Sequence, residues 1–311
     1  MRPPYHVVNL RSRGGDTARR WPRLFDALAA RGIIGDYALT RSRGHGYELA
    51  KNALEQGHDT IIAVGGDGTI FEVVNAVIDA GAAGSVSIGT IPMGSGKDVA
   101  RCLNMYRPPQ AMRAIQEGHV RDIDVGRVEA VDNHGRPLVK HFLLEASAGW
   151  VPEISAAVPT GLKRFGDTFP YLLSAAMKLA GPMGRDFIVQ VDNDFYDGRY
   201  NTISVHNMEY WGGDLRAAPG ARPDDGLLDV IRWADLGRRA VLSAVQGQRK
   251  GGRHLCMDGV DHHQARTISL ASGKRTALDL DGEQAGYLPA RISVVPAAIR
   301  FLAPPEPRAS A

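Results

Sequence analysis

Gly65-Gly66-Asp67-Gly68-Thr69 is the densest run of chemically useful residues in the chain. It directly follows the strand-like run Thr60–Val64 and directly precedes Ile70, Val73, Val74, Val77 and Ile78, which recur at helical spacing. Glycines at such a turn let the backbone approach a bulky anion. The helix behind them offers first-turn N–H groups and a positive dipole end, which suits phosphate. Asp67 could hold Mg²⁺ beside those phosphates, and Thr69 could cap the helix. The plainer alternative is a tight strand–helix turn with an N-cap.

Pro92-Met93-Gly94-Ser95-Gly96-Lys97-Asp98 is a second glycine-rich stretch between a strand and a helix. It is not a Walker A loop: Ile91 stands where the first glycine is needed, and Asp98 where Ser or Thr should follow the Lys. It reads as a second anion-facing loop, and two such loops at strand carboxyl ends would form one crevice. Neither stretch has G-x-G-x-x-G spacing, so no dinucleotide fingerprint is present. Further on, Asp281-Gly282-Glu283 lies between two strand-like runs. Asp-Gly there is a favoured hairpin turn. It is equally a carboxylate pair, with Glu283 on the same side of an extended chain as Asp281. Such a pair could accept a proton and help hold metal in phosphoryl transfer.

The elements that must position these residues have two textures. Up to about residue 120, strands (7–10, 37–40, 60–64, 86–91) alternate with helices (17–31, 47–56, the segment after 69, 98–103, 109–117), which implies a parallel sheet with helices on both faces. Beyond it strands dominate: 123–131, 139–144, 187–191, 200–206, 227–231, 267–270, 277–280 and 292–295. Helical insertions are expected near Leu162–Leu179 and Arg238–Gln248. The crowded His254, Cys256, Asp258, Asp261, His262 and His263 are too irregularly spaced for zinc and read as a polar loop. Trp211 either lines a cleft or packs.

Composition limits the function. A chain of 311 residues has room for two domains, and its net charge of +3 is too small to argue for nucleic acid. Two cysteines, far apart, give no disulfide framework and fit a reducing cytoplasm. No apolar run approaches the roughly 18 residues of a spanning helix, and no signal peptide is expected.

Taken in order, these motifs resemble the diacylglycerol kinase catalytic-domain family, which includes bacterial lipid kinases and sphingosine and ceramide kinases. Gly65–Thr69 and Gly94–Asp98 carry the resemblance. It continues through Lys163, Gly166 and Tyr171, then Asn207, Gly212-Gly213, Pro219, Ala221 and Asp224–Asp229, and ends at Asp281-Gly282-Glu283. It implies an N-terminal three-layer α/β domain, similar to NAD kinase and phosphofructokinase, over 1–125 and completed by 290–303. A C-terminal β-sandwich, the lipid-substrate domain, would cover 126–289. Nucleotide would bind between the two.

The resemblance also implies roles. ATP would be held by Asn9, Gly65, Gly66, Asp67, Gly68, Thr69, Gly94, Ser95 and Gly96. Mg²⁺ would be held by Asp67, Asp98 and Asp124, with Asp225 at a second site. Asp281, with Glu283, would activate a lipid hydroxyl. The protein would act in the cytoplasm at the inner membrane face, with a lipid groove near Val151–Leu179, and a homodimer is left open. The sequence departs from the family at Leu10 and Arg13, where Pro and Gly are usual, at Lys97 for Asn, and in Phe142–Glu145, where an Asn is often seen. Arg11, Arg13 and Arg19 could grip phosphates instead. Two rival expectations are an NAD kinase and a non-catalytic nucleotide-binding relative.

Overall fold

A computed structural model describes residues 2–150, Gly181 and residues 183–306. The helix expected near Leu162–Leu179, the groove near Val151–Leu179, and Lys163, Gly166 and Tyr171 lie outside the described residues. The chain forms two compact units, residues 1–123 with 297–311, and residues 124–296.

In the first unit, strands β1 (Tyr5–Val8), β2 (Tyr37–Leu39), β3 (Thr60–Gly65) and β4 (Ser87–Pro92) make a parallel sheet in the order β2-β1-β3-β4. The central strands are unbroken apolar runs because helices cover the sheet. Helix α1 (Asp16–Ala29) buries Trp21, Leu24 and Leu28, and α5 (Pro108–Glu117) buries Met112 and Ile115, in one core with Val8, Ile62, Val64 and Ile91. Helix α2 (His45–Glu55) packs against α3 (Asp67–Asp79), and the short α4 spans Asp98–Cys102. The chain steps from β1 to β2 on one side and then to β3 on the other. The order therefore reverses between β1 and β3, where α/β sheets commonly bind ligands. The loops after both strands carry candidate residues, Asn9 and Gly65–Thr69.

The second unit is antiparallel. Its strands are β5 (Val120–Val131, which begins in the first unit), β6 (Pro137–Phe142), β7 (Glu145–Gly149), β8 (Arg185–Val191), β9 (Asp194–His206), β10 (Tyr210–Trp211) and β11 (Leu215–Arg216). They continue with β12 (Leu228–Ala234), β13 (Val260–Ala265), β14 (Thr267–Ala271), β15 (Ala277–Leu280) and β16 (Glu283–Leu302). The main order is β13-β12-β9-β7-β15-β16, and β8 and β14 bridge β9 to β16. Helix α6 (Arg238–Arg249) covers the sheet through Val241 and Ala244, packed with Trp150, Ile231 and Trp233. The last residues of β16 belong to the first unit, where Arg300 and Phe301 pair in parallel with Ser87 and Ile88.

Two expectations change, and the choice left open for Trp211 is decided. The polar loop is a 3-10 turn (Arg253–Cys256) followed by β13, in which His262 and His263 pair opposite Ile231 and Val230. The expected strand 139–144 divides at Leu143-Leu144 into β6 and β7. Trp211 packs: it is buried, donates Nε1–H to Gln248 Oε1 at 3.1 Å, and meets the His206 ring edge-on.

Candidate active site

The two glycine loops of the first unit are built against each other. Met93 and Gly94 N–H both donate to Gly65 O at 2.8 Å. A Cβ on Gly94 would lie 2.4 Å from Gly66 Cα, and one on Gly66 would lie 2.9 Å from Gly96 O. A Cβ on Gly65 would lie 2.4 Å from Thr69 Oγ1. These glycines are required by close approach, since Gly66 is extended (φ −110°) rather than left-handed. Ser95, between two of them, is exposed.

Asp67 joins the two loops. Its Oδ2 accepts from Asp98 N–H at 3.0 Å and its Oδ1 from Val99 N–H at 3.2 Å, so it caps α4 from the neighbouring loop. The structure thus brings Asp67 and the buried Asp98 together. Thr69 does not cap α3, whose N-cap is Gly66 with no side-chain cap bond. Its hydroxyl instead accepts from Asn9 Nδ2 at 3.3 Å.

Asn9 ties the β1 loop to this centre. Its Oδ1 accepts from Arg11 N–H at 3.1 Å, and its carbonyl accepts from Ser12 Oγ at 2.9 Å. Thr17 Oγ1 donates to Met93 O at 3.3 Å, which fastens the same loop to the second glycine loop. Arg13 sits at φ +52°, a left-handed conformation that Gly would adopt with less strain. Beside the loop opens a cavity of about 750 Å³ lined by Leu10, Arg11, Ala38, Leu39, Thr40, Arg41, His45 and Leu49. Apart from Arg11, the sequence reading assigned none of these residues a role. No motif marks them; they are the carboxyl ends of β1 and β2 and the start of α2.

In the second unit, Asp281 and Gly282 are the two central residues of a hairpin joining β15 to β16, with φ +51° and +82° and Leu280 opposite Glu283. Both positive values fit a type I′ turn. The chain is therefore not extended here, and the expectation that Glu283 points the same way as Asp281 because it lies two residues on does not hold. The Asp281 carboxylate enters a nest of backbone N–H groups at the break between β6 and β7. Oδ2 accepts from Leu143 at 2.9 Å; Oδ1 accepts from Leu144 at 2.8 Å and Glu145 at 3.0 Å. A carboxylate has about four acceptor positions, so one on Oδ2 remains. Burial pushes this carboxyl up to about 6, against the three N–H bonds that favour its charge. Glu145 is buried beside it, and burial with the charges of Asp279 and Asp281 pushes its carboxyl well above the usual range.

Buried Asn207 braces this nest: its Nδ2 donates to Leu143 O at 3.1 Å and to Asp124 O at 2.9 Å. Asp124, also buried, accepts at Oδ2 from Gly226 N–H at 2.7 Å. The adjacent Asp225 accepts from Leu227 N–H at 3.0 Å. Its carboxyl is pushed up by burial and by the charges of Asp229 and Asp124. Among the described residues, no three His, Cys, Asp or Glu side chains converge closely enough to hold a metal ion. Mg²⁺ commonly keeps several waters and uses one or two carboxylates. The pairs Asp67–Asp98 and Asp124–Asp225 each offer two carboxylates, and the Asp124 charge bears on Asp225, which fits that demand.

The family described as Diacylglycerol kinase catalytic domain matches residues 4–128, and the YegS C-terminal NAD kinase beta sandwich-like domain matches residues 147–303. A diacylglycerol kinase of Staphylococcus saprophyticus is 28% identical over 276 residues, 87% of this chain and 85% of that protein. A diacylglycerol kinase of Staphylococcus carnosus is 26% identical over 277 residues, 88% of this chain and 85% of that protein. The crystal structure of a diacylglycerol kinase from Bacillus anthracis shares the fold with TM-score 0.68 and 20% identity, covering 97% of each chain. Yeast NADH kinase, at TM-score 0.52 and 9% identity over 98% of this chain and 84% of that one, marks a more distant sharing of fold. With both domain families matched in order along nearly its whole length, the chain belongs to the diacylglycerol kinase catalytic-domain family of ATP-dependent lipid kinases.

Proposed function

We propose that this protein transfers the γ-phosphoryl group of ATP to the hydroxyl of a diacylglycerol-like lipid, with Asp281 as general base. The observation that carries the assignment is the Asp281 carboxylate itself. It is held rigid by three backbone N–H bonds, retains one acceptor position, and has a proton affinity raised towards neutrality. A base works best when its pKa lies near the operating pH.

ATP occupies the first unit. Its adenine enters the cavity beside Thr40, where Leu10, Leu39 and Leu49 supply apolar walls. Its phosphates run along Asn9, Gly65–Thr69 and Gly94–Gly96, against the first-turn N–H groups of α3. Asp67 with Asp98 would hold a catalytic Mg²⁺ and Asp124 with Asp225 a structural one; when bound, the catalytic ion neutralises phosphate oxygens. The lipid hydroxyl donates to the open position on Asp281 Oδ2 and gives up its proton there as its oxygen bonds to the γ-phosphorus, while the bond from that phosphorus to the β–γ bridging oxygen breaks and ADP leaves. Glu283, across the turn, orients the hydroxyl rather than taking its proton. Because ATP is cytoplasmic and the acceptor stays in the bilayer, the enzyme works at the inner membrane face. No described helix is long and apolar enough to cross a membrane.

The test is incubation with γ-labelled ATP, Mg²⁺ and mixed micelles of diacylglycerol, phosphatidylglycerol or sphingoid bases, with NAD as a separate acceptor. Label in diacylglycerol with the wild type and not with Asp281→Asn is expected. Label in NAD and in no lipid would overturn the reading.

A further inference from the structure

Two carboxyl groups that the proposed reaction does not use are buried behind Asp281. Glu145, on β7, and Asp279, on β15, are 3% and 2% exposed. The strands pair with Asp279 opposite Ser147 and Leu280 opposite Ala146, so Glu145 and Ser147 share the sheet face of Asp279. At the end of this pairing the Glu145 backbone holds the base itself. Asp281 N–H donates to Glu145 O at 3.0 Å, and Glu145 N–H donates to Asp281 Oδ1 at 3.0 Å.

The Glu145 and Asp279 side chains are hydrogen-bonded to each other. An ionised carboxylate only accepts, so that bond requires a proton on one of the two. No cation takes the proton's place at Glu145. Among the described residues no Lys or Arg lies within ion-pair distance of it, and its Oε2 is buried without a donor. His206, directly opposite Glu145 on β9, is fully buried and uncharged, because burial lowers it to about 3. Beyond it lie Asp229, which His262 holds at 2.6 Å, and His254, lowered by burial to about 4. Across the turn from Asp281 stands another acid, Glu283. An apolar pair of similar volume would fill the space of Glu145 and Asp279 without the cost of burying charge, so stability alone does not select these two acids.

Resting on the general-base reading of Asp281, we propose that Glu145 and Asp279 share one proton and act as a positioning pair, whose single negative charge behind Asp281 holds that carboxylate ready to take the proton of the lipid hydroxyl. The charge of Asp281 raises the proton affinity of Glu145, and such an influence is mutual. The charge left on the pair therefore strengthens Asp281 as a base, in addition to burial. Neither residue of the pair touches the substrate.

The test has one readout that needs no turnover. Infrared difference spectra of the full chain at pH 7.5 are expected to show a protonated carboxyl in the wild type and in Asp281→Asn. The band should be absent from Glu145→Gln, whose amide takes over the bond to Asp279. The second readout is the acid limb of kcat/KM for lipid phosphorylation. Glu145→Gln and Asp279→Asn each leave one ionisable carboxyl in the pair, so in either the limb should stay near its wild-type position. The double variant leaves none, and its limb should move to lower pH by about one unit. A pair kept only for packing would show no such step, because the double variant preserves its shape. A wild-type spectrum without the protonated band would overturn the pair. So would a double variant whose limb stays in place; if that variant does not fold, the spectra alone decide. The band together with full activity in Asp281→Asn would sink Asp281 as the base, and with it the pair's part in catalysis, while leaving the shared proton established.

Discussion

Asp281→Asn separates activity from stability in a way the nest dictates. The amide is the same size, but it has one acceptor oxygen. The better rotamer keeps that oxygen facing the Leu144 and Glu145 N–H groups, and turns its NH₂ towards Leu143 N–H. One charge-assisted bond is lost and one N–H is left unpaired, a loss of about 1–3 kcal/mol. Against this, the wild-type carboxyl is raised from 3.8 to about 6 by burial, so its ionisation opposes folding at neutral pH by up to about 3 kcal/mol. The half-buried position makes that an upper figure. The two terms nearly offset, and at pH 7.5 the variant should lie within about 2 kcal/mol of the wild type. Its lipid phosphorylation should fall roughly 10²–10⁴-fold, the usual contribution of a general base.

The sign of the pH dependence follows. A folded-state value above the unfolded one gives stability that is complete below about 4 and lost as pH rises through about 6. Asn does not titrate. The stability of Asp281→Asn relative to wild type should therefore rise between pH 4 and 6 and stay level above, as read by urea unfolding at intervals of half a pH unit. Over the same window, wild-type kcat/KM should fall below pH 6 with the slope of one proton. A stability gap that does not change with pH, or a variant retaining more than about a tenth of the activity, would refute the reasoning.

Gly94→Ala should abolish ATP binding and lower stability by about 1–3 kcal/mol, because the new methyl would meet the Gly66 backbone at 2.4 Å, which cannot turn aside. Nucleotide titration and thermal melting would check it. Asn207→Leu strips two buried carbonyls, Leu143 O and Asp124 O, of their donor, and should destabilise by about 2–5 kcal/mol and lower kcat more than it raises the KM for ATP. Acid unfolding should also show a masked imbalance. Burial lowers His6 to about 4, His206 to about 3 and His254 to about 4, so these three favour the fold above pH 6.5 and turn against it as pH falls. Asp281 and Glu145 act in the opposite sense. Between pH 6.5 and 4.5 the wild type should take up fewer protons on unfolding than an Asp281→Asn, Glu145→Gln double variant, by potentiometric titration.

Much of this was legible in advance because local rules and tertiary demands agreed. The apolar runs at 60–64 and 86–91 could only be covered strands, and the helical spacing from Ile70 to Ile78 continued straight out of the glycine turn. The expectation failed where one residue answers to distant chain. Asp67 was readable as a ligand-facing acid, but its capping of α4 depends on Asp98 and Val99 across the loop contact. Asp281 satisfied the hairpin reading, and its catalytic role is the proposal made above. The turn chemistry that puts it at positive φ also aims its carboxylate at Leu143–Glu145, three residues whose side chains give no hint of an anion nest. His262 and His263 looked like loop because polar residues interrupted the strand pattern, yet Asp229 and Arg232 on the neighbouring strand give each ring a partner, at 2.6 and 3.0 Å.

The pairing of Arg300 and Phe301 with Ser87 and Ile88 carries a consequence for synthesis. When β4 leaves the ribosome, its neighbour β3 is already available, but the strand that covers its other edge is still untranslated. At about 5–20 residues per second, that edge stays open for roughly ten to forty seconds. Throughout that interval the nascent chain presents an apolar strand, Ser87–Pro92, with unpaired N–H and C=O groups, the geometry that invites pairing with another chain. Yield in the cell is thus set by a race between elongation and edge-to-edge association. Slowing translation after residue 92, or depleting the chaperones that shield nascent strands, should lower the soluble fraction without changing the finished enzyme.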